Sequence, residues 1–170
     1  MGVFYDYYRA ANRQAAAETP DSPRAVEKPM ASVPSFDAVD AKGIDPIVIL
    51  GKLIALARET PYSLGLVQTI TVYPPSEGAP ATVEEWEALP EDSPYKEGAG
   101  IEELSVDVRD TLADISDSRL GQLAEGWVQI EEFTDFPPAD GFLLEVLTEL
   151  RDLAQRAQKE DQMIYCWIGG

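Results

Sequence analysis

The chain has 170 residues, 31 acidic against 13 basic side chains, no histidine and one cysteine, for a formal net charge of −18. That balance excludes the basic footprint that nucleic-acid phosphates and anionic membranes require, so neither is expected as a partner. Hydrophobic residues make up 45%, enough for one core, and at this length folding buries roughly 70% of the surface that the open chain exposes.

A single cysteine, Cys166, allows no disulfide within the chain, and the N-terminus lacks the basic-then-apolar layout of a signal peptide. A cytoplasmic location is expected. The longest apolar run, Pro46 to Ala57, is interrupted by Gly51 and Lys52 and is too short to span a bilayer.

Both chain ends are aromatic, MGVFYDYYRA and QMIYCWIGG. Alternation over Val3–Tyr8 sets Val3, Tyr5 and Tyr7 on one face and Phe4, Asp6 and Tyr8 on the other, which predicts a strand. Ala10–Glu18 is alanine-rich and reads as a short helix that stops before Thr19-Pro20. Residues 20–34 hold four prolines and no periodicity, the mark of a surface loop. Phe36–Val39 reads as a short extended segment leading into the Gly43 turn. Asp45 as N-cap, Pro46 at the first helical position and Arg58 near the far end predict a helix over Pro46–Glu59. Its apolar face is Ile47, Leu50, Leu53, Ile54 and Ala57, widened by Ile49 and Leu56.

VQTITVY, Val67–Tyr73, is β-branched and alternating, a second strand closed by Pro74-Pro75. Residues 74–100 read as a loop region with one short helix. That helix starts at the capping box Thr82-Val83-Glu84-Glu85 and carries Trp86. Ile101–Val106 reads as a further strand, placed at a sheet edge because it carries Glu102 and Glu103. Val108, Leu112 and Ile115, then Leu120, Leu123, Ala124 and Trp127, predict two short helices in tandem. A stripe from Leu143 to Ala157 predicts a helix of about five turns over Asp140–Lys159, and Met163–Ile168 a terminal strand.

The chemistry-bearing residue types are sparse. Without histidine the commonest general base, the usual triads and most zinc sites are missing. The pairs Glu84/Glu85, Glu102/Glu103 and Glu131/Glu132 are sequence neighbours that point apart, so they form no acid–base dyad by themselves. Calcium-loop spacing is absent, DISDSR being only a partial echo, and no phosphate-loop or dinucleotide fingerprint occurs. No cofactor or metal is expected. Cys166, between Tyr165 and Trp167, reads as a small buried hydrophobe.

The aromatics carry an ambiguous signal. Most suit core and strand-pair packing, yet aromatic residues are also enriched at binding hot spots. EEFTDFPPADG sets two phenylalanines among acids and prolines between two predicted helices. Its residues Glu131, Glu132, Phe133, Asp135 and Phe136 are the candidate contact surface, with Tyr8 and Arg9 at a strand end as further candidates.

In the order of its pieces, and in Met1, Gly2, Tyr7, Tyr8 and Arg9, the chain resembles the YfbM-like family of uncharacterised bacterial proteins. That family opens with Met-Gly and a Tyr-Tyr-Arg strand and closes with a helix and a short apolar strand. MIYCWI matches that close in character, whereas AKGID stands where the family carries a tryptophan-histidine step. The resemblance implies an α+β fold and supplies no catalytic residue.

The expected architecture is one α+β domain over 1–170, with both terminal strands in a small sheet and helices Pro46–Glu59 and Asp140–Lys159 packed over it. The expected function is a non-catalytic acidic binding protein for a partner with a basic surface, in its most specific form an immunity or inhibitor protein for a basic toxin or effector. The alternatives are a small enzyme or ligand binder using carboxylates in a cleft, or an acidic housekeeping or regulatory protein.

Overall fold

In a computed structural model describing residues 2–28 and 30–170, the two ends of the chain are neighbours in one sheet. Met1 of the family-like opening and Pro29 of the proline-rich stretch lie outside the described residues. Strand β1 (Phe4–Ala10) pairs antiparallel with β5 (Met163–Gly169) in a register that sets Phe4 opposite Gly169 and Ala10 opposite Met163. With β2 (Ala38–Asp40), β3 (Thr69–Tyr73) and β4 (Gly100–Leu104) they form a five-stranded sheet in the order β2-β1-β5-β4-β3, every pairing antiparallel.

Period-two alternation decides what each face of this sheet buries. Tyr7, Ile164, Cys166 and Leu104 point into the main core, with Tyr5 and Ile168 packed at its margin. Tyr8, Ala10, Ile101, Tyr165 and Trp167 point the other way into a second, smaller core. A sheet buried on both faces explains aromatic chain ends. The tyrosine and tryptophan polar atoms are satisfied as burial demands: Tyr7 Oη donates to the Ile44 carbonyl at 2.8 Å, Tyr8 Oη to Ala16 at 2.6 Å, and Trp167 Nε1 to Pro20 at 2.7 Å.

The main core is roofed by helices. Helix α6 (Phe142–Lys159) buries Leu143, Val146, Leu147, Leu150, Leu153, Ala154 and Ala157 against β1, β2 and β5 and against α4 (Val106–Ala113). Helix α5 (Asp117–Trp127) follows α4 and buries Leu120, Leu123, Ala124 and Trp127, whose Nε1 donates to the Ile49 carbonyl at 2.9 Å. Helix α2 (Ile49–Arg58) rests chiefly on α4 and α5 rather than on the sheet, contrary to the expected layering. Its cap is as read: the Asp45 carboxylate accepts from the amides of Ile47, Val48 and Ile49. The helix proper nonetheless starts three residues after Pro46, because Pro46–Val48 form a turn.

Helix α1 (Arg13–Ala16) is shorter than expected because β1 extends to Ala10. Two further corrections concern charge. β4 is an interior strand between β5 and β3, not an edge. Glu103 is tolerated there because Arg13 clasps both its oxygens at 3.0 Å, which holds its carboxyl below the ordinary range. The proline-rich stretch is not wholly surface. Arg24 is buried beneath it, donating to the carbonyls of Ala16, Glu18, Thr19 and Ser22 while its guanidinium lies over the Tyr8 and Phe36 rings. The Asp6 carboxylate accepts from the Arg24 and Ala25 amides at 2.8 and 2.9 Å, so the stretch is tied to β1.

Among the described residues no helix is long and apolar enough to cross a membrane.

Candidate partner-binding surface

The segment joining α5 to α6 is held by its first acids and free at its middle. A 3-10 turn, Glu131–Phe133, brings both glutamates to α2, where Lys52 Nζ reaches Glu132 at 2.6 and 2.7 Å and Glu131 at 3.1 Å. Partial burial raises the Glu132 carboxyl, but the lysine bonds outweigh it and leave the group below its ordinary value. Phe133 packs against the main core. Asp135 is exposed and Phe136 is 85% exposed, so the distal half of the loop presents an acid and an aromatic ring to solvent.

Tyr8 and Arg9 are placed differently. Tyr8 has no exposed surface, and it packs edge-on against Phe36 at 4.8 Å between ring centres. Arg9 is bound to Asp37 at 2.7 Å and to Gln162 at 2.8 Å. Both are framework, and the fold does not bring them to the Glu131–Phe136 loop.

Beside that loop runs a groove of about 300 Å³ between α5 and the start of α6. One wall is Gly121, Ala124, Glu125 and Val128; the other runs from Pro138 to Leu144. Val128 is 37% and Leu144 42% exposed, both apolar side chains with no covering element. Gly141, at a φ of 81° before the first residue of α6, makes the turn that a β-carbon would strain and so aims α6 along the groove. Gly121 is exposed at the groove wall. A β-carbon there would meet nothing within 4 Å, whereas one at Gly126 would touch Leu56 of α2. Glycine inside a helix costs about 1 kcal/mol relative to alanine, and at Gly121 neither close packing nor backbone conformation requires it.

The chain segment that forms the groove carries charge of one sign, and the neighbouring cation is Lys42, whose Nζ lies 5.5 Å from the ring of Phe142 at the start of α6. Between Arg119 and Arg151 the chain carries seven carboxylates and no lysine or arginine. Glu125 and Asp140 stand on its two walls. Elsewhere most cations are engaged internally: Arg109 with Asp110 and the Gln162 carbonyl, Arg151 with Asp117, Asp152 and the Ile115 carbonyl, and Arg156 with Asp37. The acids thus dominate what solvent meets.

No protein-family model, no curated protein and no solved structure matches the chain.

Other places offer less. A second acidic excursion surrounds α3 (Val83–Glu87), a helix with no buried residue. Its Trp86 is half-exposed, but Lys96 lies 5.1 Å from the ring and holds the helix end through the Glu87 and Leu89 carbonyls. An open cleft between α2 and α5 carries Glu59, Glu125 and Arg119, and Glu59 and Glu125 are both exposed to solvent. The two carboxyls raised above their ordinary values, Asp6 chiefly by burial and Glu149 by burial and by Glu145 and Asp40, line neither cleft. Burial pushes the Cys166 thiol up, so it stays protonated and unreactive. Among the described residues no group of three or more histidine, cysteine or acidic side chains is placed to hold a metal ion.

Sequence patterns pointed to the loop but not to the groove. The signal for the groove was Gly121, a helix-weakening residue on the side of α5 that the apolar stripe does not use.

Proposed function

We propose that this is a non-catalytic acidic binding protein of the cytoplasm whose α5–α6 face engages a partner protein with a basic surface. The observation that carries the reading is the coincidence, at one face, of an uncovered apolar groove, an exposed phenylalanine and a run of chain with carboxylates and no cation. Opposite charge steers such a partner in and fixes its orientation, while burial of the apolar groups supplies affinity. An immunity or inhibitor protein occupying a basic toxin or effector is the most specific form of this reading. The likeness of the chain ends to YfbM-like proteins is compatible with it and adds no residue to it.

Affinity capture from the native lysate at low and at moderate salt, with bound proteins identified by mass spectrometry, tests the reading. A reproducible basic partner that is lost as salt rises is expected. Recovery of no partner at either salt overturns it.

A further inference from the structure

Resting on that reading, we propose that the α5–α6 groove receives one amphipathic helix of the partner, its apolar stripe lying in the groove and its lysines or arginines on the flanking carboxylates. Three features point to a helix of that character. One wall of the groove is α5, whose Gly121, Ala124, Glu125 and Val128 line it at helical spacing, so a helix laid along it meets ridges and grooves of matching spacing. Its walls offer Val128 and Leu144 to an apolar stripe, with Glu125 on one side and Asp140 on the other within reach of cations flanking that stripe. At Gly121 a β-carbon would meet nothing within 4 Å, so the position is open to an incoming side chain, and glycine there weakens α5 relative to alanine.

The test is selection of helix-forming peptides from a displayed library with all surface positions randomised, using the intact protein as bait and Gly121→Leu as the counter-bait. Gly121→Leu starts from a β-carbon that meets nothing within 4 Å, replaces a helix-weakening residue and keeps every carboxylate, so its thermal melt is expected to match or exceed that of the wild type. The expected result is enrichment of peptides with apolar residues at i, i+3, i+4 and i+7 flanked by lysine or arginine. They should bind Gly121→Leu at least tenfold more weakly. Enriched peptides that are basic but carry no apolar stripe, or that bind Gly121→Leu equally well, overturn the groove assignment and leave the acidic-surface reading standing. Enriched peptides that are apolar without cations, or failure to enrich any peptide, overturn the helix proposal. Apolar peptides whose binding is indifferent to salt also count against the acidic-surface reading itself.

Discussion

Tyr7 lies directly opposite Cys166 across the β1–β5 pairing, so a residue near the start of the chain and one near its end share the centre of the main core. β5 in turn sits between β1 and β4, at the middle of the sheet. Removing residues 1–8 deletes most of β1 and uncovers both cores. The truncated chain is expected to lose its cooperative thermal transition by circular dichroism, and an unchanged melt would contradict the register.

Cys166 reports on the same pairing without truncation. Its thiol is wholly buried and its ionisation disfavoured by that burial. A water-soluble thiol reagent should leave the native protein unlabelled and react only across the denaturant range in which the sheet unfolds. Labelling that precedes global unfolding would place β5 in a separately opening unit.

The Asp37 carboxylate is shared by Arg9 and Arg156, with Arg156 the larger influence, and is held below the ordinary aspartate value of 3.8. A carboxyl lowered on folding stabilises above its unfolded value and loses that contribution as pH falls through the folded one. Partial exposure of the partners limits the contribution to about 1 kcal/mol. Asp37→Asn is therefore expected to melt lower than wild type at neutral pH and to converge with it as pH falls through the lowered folded-state value of Asp37. A constant difference across that range would show that packing, not charge, is what the substitution removes.

Arg24 is the anchor of the proline-rich stretch. Arg24→Ala deletes four carbonyl contacts and is expected to cost about 2–4 kcal/mol and to open residues 20–34 to thermolysin. Arg24→Lys should recover little, because an ammonium lacks the planar fork that spans those carbonyls. Equal protease resistance in all three proteins would contradict the anchor.

Where the chain itself carries a period, its structure was legible. The alternation of Val3–Tyr8, the β-branched run ending at Tyr73 and the stripes of Leu120–Trp127 and Leu143–Ala157 each became the expected element with ends moved by a few residues. What stayed hidden depends on partners distant in sequence. Glu103 looks like an edge residue until Arg13 folds over it, and Arg24 looks like loop decoration until its carbonyl cage closes. Of the expected contact residues, Glu131, Glu132, Phe133, Asp135 and Phe136 do form one loop, but Lys52 takes two of them and the core a third. Tyr8 is wholly internal. Exposure is a property of the whole fold, so composition alone cannot separate Phe133 from Phe136.

The proposed binding of a basic partner by the carboxylates of the α5–α6 face is checked by repeating the low-salt capture with a variant in which Glu125→Gln, Asp135→Asn and Asp140→Asn remove charge but little volume. All three residues are exposed, so the variant should fold with stability within about 0.5 kcal/mol per site of the wild type. The partner recovered by the wild type is expected to be lost, and recovery of the same partner in equal amount would contradict the claim.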